Sequence, residues 1–229
     1  MILLDYSQIA LSNIIVQKLN DENMIRHMIL NSIRMYNKKY RKEYGQMVIC
    51  VDGMNTWRKE YFPLYKAHRK KNRAESGQDW NEIFRILNLI REEISQNLPY
   101  KVIHLEGCEA DDVIGTLAMQ TQEFGQHEPV MIISSDKDFI QLHKYNNVKQ
   151  YSPIQKKMVT DSNPRTYCFE HICRGDKGDG IPNVLSPDNA IMDEIRQTPM
   201  TKKKIQYWAE NSDNLKGVMT EDEYRNYQR

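Results

Sequence analysis

Three short apolar segments of the chain end in an aspartate, and this pattern constrains the fold more than any other feature. They lie at residues 2–5, 47–52 and 130–136. Segments that are apolar throughout are typical of strands buried on both faces, as in a parallel sheet. A fourth apolar segment, residues 102–105, is followed after a short gap by Glu109.

Helical patterns lie between these segments. Apolar residues recur at helical spacing over residues 23–40, 80–95 and 110–121. Asp79, with Glu82 three residues later, predicts a capping box at the start of the second helix. The alternation of strand and helix predicts an α/β fold with a central, mainly parallel sheet flanked by helices. In such sheets, functional groups gather at the carboxyl ends of the strands.

The chain changes character after the last of these strands. Its apolar segments become shorter, glycine and proline interrupt residues 175–187, and a helix is predicted to begin near Thr201 and to extend beyond Trp208. We therefore predict an α/β domain at residues 1–150 and a C-terminal helical region at residues 151–229.

Composition excludes several classes of protein. The chain has 229 residues, of which 40% are hydrophobic, so it can bury a core. No apolar segment approaches the roughly 20 residues of a membrane span, and no basic region followed by an apolar stretch predicts a secretory signal. The four cysteines form no Cys-x-x-Cys pair, which argues against a zinc ribbon. We expect a cytoplasmic protein that does not associate with membranes.

Acidic residues gather at the predicted strand ends and helix starts. They are Asp5, Asp52, Glu109, Asp111, Asp112, Asp136 and Asp138. Carboxyl ends of parallel strands meet at one edge, so we expect these side chains to converge. Ionised carboxylates in one pocket repel each other, and Mg²⁺ or Mn²⁺ would neutralise them. Two such ions about 4 Å apart can stabilise both oxygens of an in-line phosphoryl displacement.

A simpler explanation exists for each acid taken alone. Glu109, Asp111 and Asp112 would be favourable in the first turn of a helix, and aspartate after a strand is an ordinary turn residue. The whole set favours a metal site, because chance rarely ends successive strands in aspartate. Asp176 and Asp179 add two further acids in the glycine-rich stretch 175–180.

Charge is segregated along the chain, although the net charge is only +1. Residues 57–73 contain seven bases and one acid, interleaved with aromatic residues, whereas residues 104–139 contain eight acids and one lysine. A basic stretch with aromatic residues can follow a phosphate backbone and stack on bases. A solvated helix face or a loop explains the basic stretch equally well by itself, but an adjacent carboxylate metal site favours phosphate binding.

The motifs occur in an order that resembles the 5′-nuclease superfamily, which includes flap endonucleases and the 5′-nuclease domains of bacterial DNA polymerases. The similarity is strongest to the ribonuclease H branch of T-even bacteriophages. The most specific combination is Glu-Ala-Asp-Asp at residues 109–112, Ser-Ser-Asp-x-Asp at 134–138 and Gly-Asp-x-x-Asp at 175–179. The similar segments cover nearly the whole chain, and the resemblance implies a PIN-like nuclease fold.

The resemblance implies a two-ion Mg²⁺ site in which Mn²⁺ can substitute. It assigns the first ion to Asp5, Asp52, Glu109 and Asp111. It assigns the second region to Asp112, Asp136, Asp138, Asp176 and Asp179. Asp5 and Asp52 are also expected to be catalytic, together with Lys66 and Arg69, which would stabilise charge on the scissile phosphate.

Two nucleic-acid-binding elements follow from the resemblance. Residues 53–78 would form a helical arch, attached to the first domain, and the C-terminal region would contain a helix–hairpin–helix that grips duplex backbone through main-chain amides and K⁺. Residues 183–199 depart from the family pattern because they are longer and irregular, which weakens the expectation of a K⁺ site. The expected contacts to nucleic acid are Arg58, Lys66, Arg69, Lys70, Lys71, Lys202, Lys203 and Lys204.

The implied function is a 5′→3′ exonuclease and flap endonuclease with ribonuclease H activity in replication. Its substrates would be 5′-flap, nicked or forked duplex DNA and RNA–DNA hybrid. A single-stranded-DNA-binding protein and a sliding clamp of a phage replisome would be partners in the host cytoplasm. The alternatives are a PIN-like single-strand ribonuclease and a non-catalytic module that binds branched DNA. A phosphatase that acts on small substrates is a weaker third alternative.

Overall fold

A computed structural model describes residues 1–17 and 21–229 and divides them into two compact units. The first unit comprises residues 1–56 and 79–162, and the second comprises 57–78 and 163–229. The predicted domains placed the arch with the N-terminal residues, whereas this division groups residues 57–78 with the C-terminal ones. Contacts within the second unit explain the difference, because Tyr61 Oη donates to Gln228 O (2.8 Å) and Arg69 Nη2 lies 2.7 Å from Asp179 Oδ1.

Six strands, ten α-helices and three short 3₁₀ segments make up the described part of the chain. The strands are β1 Ile2–Asp5, β2 Met47–Val51, β3 Lys101–His104, β4 Val130–Ile133, β5 Val148–Ser152 and β6 Lys157–Val159. The helices are α1 Tyr6–Gln17, α2 Glu22–Tyr44, α3 Trp57–Tyr61, α4 His68–Glu75, α5 Trp80–Asn97, α6 Ala110–Gln120, α7 Pro164–Arg174, α8 Lys202–Glu210, α9 Leu215–Val218 and α10 Glu221–Gln228. The 3₁₀ segments are Glu123–Gly125, Asp138–Lys144 and Ser212–Asn214.

The first unit is built on a six-stranded sheet of order β3-β2-β1-β4-β5-β6. Only the β5–β6 pair is antiparallel, so the predicted α/β fold with a mainly parallel sheet is confirmed. The strand order reverses between β1 and β4. In open α/β sheets, ligands bind outside the carboxyl ends of the strands at such a reversal.

Alternate residues of the central strands pack on opposite faces of the sheet. Leu4 and Ile49 join the cluster that includes Ile29 of α2, while Leu3 joins the cluster that includes Ile114 of α6. Cys50 is also fully buried in the second cluster, as its apolar surroundings predict. Burial on both faces explains why these strands are continuously apolar.

The predicted helices of the first unit are present as α2, α5 and α6. Asp79 caps α5 as expected, because its Oδ1 accepts a hydrogen bond from Glu82 N at 3.0 Å. The Glu82 carboxylate instead accepts from Arg85 Nε at 2.7 Å, so the structure shows only the Asp79 half of the predicted capping box. Helix α1 and strands β5 and β6 have no counterpart among the predicted elements.

The second unit is helical and has a small core of its own. Its buried residues are Cys173, Val184, Ile205, Trp208, Leu215 and Met219. Helix α8 begins after Thr201, whose side chain accepts from Lys204 N, so the predicted helix start is confirmed. Gly175 ends α7 at φ +69°, and a Cβ there would lie 2.4 Å from Ile181 O, so only glycine fits.

No helix within residues 1–17 or 21–229 is both long and apolar enough to cross a lipid bilayer.

Candidate active site

Asp5 is a buried carboxylate at the carboxyl end of β1. Its Oδ1 accepts from Gln8 N at 3.2 Å and its Oδ2 accepts from Ser134 Oγ at 3.0 Å. Burial raises the pKa of Asp5 to about 7, with a further contribution from the neighbouring charge of Asp52. Ionisation of Asp5 in the folded protein therefore costs free energy, and a bound divalent cation would reduce that free energy.

Asp52 follows β2 and is tied to the start of α6, since its Oδ1 accepts from Ala110 N at 2.8 Å. The next residue, Gly53, donates its N–H to Cys108 O at 2.8 Å. A Cβ on Gly53 would lie 1.9 Å from Leu105 O, so glycine is required where the two chain segments approach. This close approach sets Asp52 beside the first turn of α6.

The first turn of α6 carries three of the predicted site acids. Glu109 is 6% exposed, and its N–H donates to Asp112 Oδ2 at 2.8 Å. Asp112 therefore caps the helix, the simpler role that its position allows. Burial and the nearby charges of Asp5 and Asp111 raise the pKa of the Cys50 thiol. Asp5 and Asp111 thus lie close to the same buried cysteine.

The turn after β4 positions Asp136 and Asp138. Ser134 Oγ accepts from Asp136 N at 3.1 Å while it donates to Asp5, so one buried hydroxyl connects the two strand ends. Asp136 Oδ1 accepts from Asp138 N at 2.9 Å. The field of Asp136 also contributes to the raised pKa of Asp5.

A buried glutamine on β5 holds this turn in place. Gln150 is fully buried, and its Nε2 donates to Ser134 O at 2.9 Å and to Asp136 O at 2.6 Å. Its Oε1 lies 3.1 Å from His143 Nε2. Because carbonyl oxygens only accept, the two carbonyls fix the orientation of the amide, and His143 must carry its proton on Nε2.

The first unit thus brings seven predicted acids to the carboxyl edge of one sheet: Asp5, Asp52, Glu109, Asp111, Asp112, Asp136 and Asp138. Their donor atoms are all oxygens, and the pKa of Asp5 is raised first by burial and then by the charges of Asp52 and Asp136. An oxygen-only donor set fits Mg²⁺ or Mn²⁺. Sequence reasoning missed Gln8, Ser134 and Gln150, which act by positioning the acids and their turns.

Asp176 and Asp179, the remaining predicted metal ligands, belong to the second unit. The hydrogen bond with His171 lowers the pKa of Asp176 to about 2, and the two side-chain atoms His171 Nε2 and Asp176 Oδ2 are 3.5 Å apart. Asp176 Oδ1 also accepts from Asp179 N at 3.1 Å.

Within the same unit, the Asp179 carboxylate forms ion pairs with Lys66 and Arg69, the two positively charged residues predicted to be catalytic. Its Oδ1 lies 2.7 Å from Arg69 Nη2 and 3.8 Å from Lys66 Nζ. Its Oδ2 accepts from Tyr65 Oη at 2.9 Å, and its main-chain oxygen accepts from Lys66 N at 2.7 Å. The basic stretch of residues 57–73 is therefore attached to the Gly-Asp-x-x-Asp motif by the Asp179 carboxylate and by main-chain oxygens of the motif.

The other predicted nucleic-acid contacts differ in their surroundings. The guanidinium of Arg58 lies 4.8 Å from the centre of the Trp57 ring. Acidic side chains pair with two of the lysines, since Lys71 Nζ is 2.5 Å from Glu194 Oε1 and Lys204 pairs with Glu223. Three further lysines, Lys70, Lys202 and Lys203, are exposed.

Comparison with known proteins identifies relatives along nearly the whole chain. Residues 5–169 match the family described as 5′-3′ exonuclease, N-terminal resolvase-like domain. The chain is 36% identical to ribonuclease H of Enterobacteria phage T4 over 237 aligned positions, which cover 98% of this chain and 77% of the relative. It is also 30% identical to a 5′-3′ exonuclease of Buchnera aphidicola from Acyrthosiphon pisum over 64% of this chain and 50% of that relative.

Solved structures share the fold at lower sequence identity. The 5′-exonuclease of phage T5 with bound zinc matches with a TM-score of 0.69 at 18% identity, over 99% of this chain and 87% of the other. The T5 flap endonuclease in a pseudo-enzyme-product complex with DNA and metal ions matches with a TM-score of 0.67 at 18% identity, over 99% of this chain and 86% of the other. Because the family match covers residues 5–169 and the phage T4 relative is 36% identical over 98% of this chain, the chain belongs to the 5′-3′ exonuclease family.

Proposed function

We propose that the chain is a divalent-metal-dependent 5′→3′ nuclease that hydrolyses phosphodiester bonds at the carboxyl edge of its sheet. One observation carries the proposal: seven acids from strand ends and from the helix starts that follow them lie at that edge, where the strand order reverses between β1 and β4. The names of its relatives, ribonuclease H and 5′-3′ exonuclease, support the same chemistry.

Mg²⁺ is the proposed metal, with Mn²⁺ as a substitute. Asp5, Asp52, Glu109 and Asp111 would hold one ion, and Asp136 and Asp138, with Asp112 nearby, would hold the other. When bound, the ions supply positive charge to the attacking and leaving oxygens of the phosphodiester. The protein side chains fix the positions of the donors, and Ser134 and Gln150 keep the β4 turn in place. The participation of Asp176 and Asp179 in metal binding stays a prediction.

Lys66 and Arg69 are proposed to stabilise negative charge on the scissile phosphate. Asp179 offers these bases the same kind of anionic oxygen that a phosphate offers. A substrate phosphate would therefore replace Asp179 as the anionic partner of Lys66 and Arg69. The exposed Lys70, Lys202 and Lys203 would contact the nucleic-acid backbone, and Arg58 the single strand.

The proposed substrates are DNA with a 5′ flap, nick or fork, and RNA–DNA hybrids from which RNA primers are removed. The T5 flap endonuclease, which shares the fold, was solved in a complex with DNA, and this supports DNA as the substrate class. Proposed protein partners are a single-stranded-DNA-binding protein and a sliding clamp, in the cytoplasm of a phage host. These partners follow from the resemblance to phage replication nucleases.

The test is cleavage of a 5′-labelled flap DNA and a matched RNA–DNA hybrid, with Mg²⁺ and with EDTA. We expect Asp52→Asn and Asp138→Asn to lower the rate about 100-fold or more, since each removes a proposed ligand charge. Glu123→Gln, a change at an exposed acid in a 3₁₀ segment, should retain activity.

Full activity in EDTA or in Asp138→Asn would contradict the proposal. Faster cleavage of unstructured RNA than of flap DNA would favour the PIN-like ribonuclease. Tight junction binding without cleavage in Mg²⁺ or Mn²⁺ would favour the non-catalytic module.

A further inference from the structure

Backbone carbonyls of the loop after the Gly-Asp-x-x-Asp motif converge on the guanidinium of Arg229. Nη2 donates to Pro182 O at 2.5 Å and to Asn183 O at 3.1 Å. Nη1 donates to Ser186 O at 3.4 Å and to Asp188 Oδ1 at 2.6 Å. The Arg229 side chain is only 6% exposed. A permanent positive charge therefore lies inside a group of loop oxygens.

The amides of this loop are already used within the second unit. Val184 N donates to Cys173 O at 3.1 Å, and Ser186 N donates to Asn183 O at 3.0 Å. Leu185 N donates to Asn183 Oδ1 at 3.0 Å. These three amides are therefore not available to grip a phosphate as the family resemblance implies. Of the loop carbonyls, Asn183 O already accepts from Ser186 N, whereas those of Pro182, Val184 and Ser186 need partners from outside the loop.

Helix α10 supplies those partners. Asn226, one turn before Arg229, donates through Nδ2 to Val184 O at 3.0 Å and to Ser186 O at 3.2 Å. Asn226 and Arg229 together satisfy the carbonyls of residues 182, 183, 184 and 186 from one helix end. The loop is thus organised by donors that the chain itself carries.

A ring of backbone carbonyls is the environment that holds a dehydrated monovalent cation in proteins. In this loop the carbonyls of Pro182, Asn183 and Ser186 are already occupied by a guanidinium, which cannot lose its proton. The residues present therefore do not fit the K⁺ site that the resemblance implies.

We propose that Arg229 is a built-in cation that organises residues 182–188 in place of a monovalent metal ion. The conformation of the loop then does not depend on K⁺. Its grip on duplex DNA, which rests on the proposed function, does not depend on K⁺ either. Arg229 is a positioning residue, because it acts through the loop.

Arg229 also connects the loop to the basic segment. Its guanidinium lies 5.7 Å from the centre of the Phe62 ring, and the preceding residue, Gln228, accepts a hydrogen bond from Tyr61 Oη at 2.8 Å. The end of α10 therefore contacts both elements that the sequence assigns to nucleic-acid binding. Loss of the guanidinium should loosen both of them.

The test measures thermal unfolding of the wild type, Arg229→Ala and Arg225→Ala. Each protein is measured in a K⁺ salt, in a tetramethylammonium salt at equal ionic strength, and with added methylguanidinium. Wild type should unfold at the same temperature in the K⁺ and tetramethylammonium salts. Arg229→Ala should unfold about 5 °C or more lower, because the Pro182 carbonyl loses its donor and the carbonyls of Asn183 and Ser186 each lose one of two. Millimolar methylguanidinium or K⁺ should recover part of the loss. Arg225, which is 70% exposed and pairs with Asp222 on the same helix, is the matched control and should change little.

A wild-type unfolding temperature that needs K⁺ would overturn the proposal, as would an Arg229→Ala protein as stable as Arg225→Ala. If Arg229→Ala does not fold, Arg229→Lys replaces it, since lysine keeps the charge without the planar fork. Lysine should lower the unfolding temperature without creating a K⁺ requirement, and wild-type stability in that variant would overturn the proposal.

Duplex affinity is then measured in the same salts, and Arg229→Ala is expected to bind about tenfold more weakly in tetramethylammonium. Unchanged affinity would overturn the role of Arg229 in DNA binding. Failure of wild type to bind any duplex would instead contradict the proposed function and leave the thermal result standing.

Discussion

Asp5 shows how the buried charge of a single site residue lowers the stability of the ion-free protein. Its pKa is raised from 3.8 to about 7, first by burial and then by Asp52. Between these values the folded state holds a proton that the unfolded state releases, so stability falls as the pH rises through this window. Above pH 7 the destabilisation is at its full value, roughly 4 kcal/mol for a shift of this size.

We predict that Asp5→Asn stabilises the ion-free protein at pH 8 and has little effect near pH 4. The amide has no charge to bury, so the unfolding temperature at pH 8 should rise by about 5 °C or more. Thermal unfolding of both proteins across pH 4–8 in EDTA measures the difference.

The same pair of proteins tests the metal. Mg²⁺ should raise the unfolding temperature of wild type at pH 8 and raise that of Asp5→Asn much less. An equal Mg²⁺ response in the two proteins would show that Asp5 is not a ligand. Glu123→Gln serves as the control for a surface charge change.

Individual acids were easier to predict than their partners. Asp5 and Asp52 are recognisable because each ends an apolar strand, which is a local signal. The pairing of Asp179 with Lys66 and Arg69 joins residues more than 100 positions apart, and no local pattern reports it. For the same reason, the sequence does not reveal that the partner of Arg229 is a set of carbonyls near Pro182.

At the scale of elements, the turn between β4 and the 3₁₀ segment Asp138–Lys144 depends on β5. Gln150 holds two carbonyls of that turn, and His143 from the 3₁₀ segment closes the network. Burial lowers the pKa of His143, so the ring stays neutral at physiological pH while it donates from Nε2. The site therefore relies on an element that the sequence pattern did not predict.

We predict that Gln150→Ala lowers the free energy of unfolding by about 2–4 kcal/mol, because two buried carbonyls and an imidazole N–H lose their partner. Urea unfolding measures this loss. Mg²⁺ affinity should fall about tenfold, because Asp136 is no longer held in place. Gln155→Ala, at an exposed position just beyond the same strand, is the control and should change stability by less than about 0.5 kcal/mol. Equal stability of the two variants would contradict the role of Gln150.

Strand β5 illustrates why this element was difficult to find. Its five residues, Val148–Ser152, have the sequence Val-Lys-Gln-Tyr-Ser, and two of its three buried side chains, Gln150 and Ser152, are polar, so the strand lacks an apolar pattern. The central strands β1, β2 and β4 are continuously apolar because helices cover both faces of the sheet, so burial itself leaves a sequence signal there.

In the whole molecule, the sheet was predictable from the sequence, whereas the grouping of residues 57–78 with residues 163–229 leaves no local pattern in the sequence. The parallel α/β architecture follows from alternating strands and helices. The association of residues 57–78 with residues 163–229 depends on contacts such as Tyr61 with Gln228, which are distant in sequence. Motif order identified the family because successive acids in fixed spacing are constrained by chemistry rather than by packing.

Divalent metal ions are expected to bind at the carboxyl edge of the sheet. Anomalous diffraction from crystals soaked in Mn²⁺ tests this binding most directly, because it locates the ions without relying on activity. We expect anomalous peaks about 2 to 2.5 Å from carboxylate oxygens of Asp5, Asp52 and Glu109. Well-occupied Mn²⁺ elsewhere on the protein, with none at this edge, would contradict this expectation.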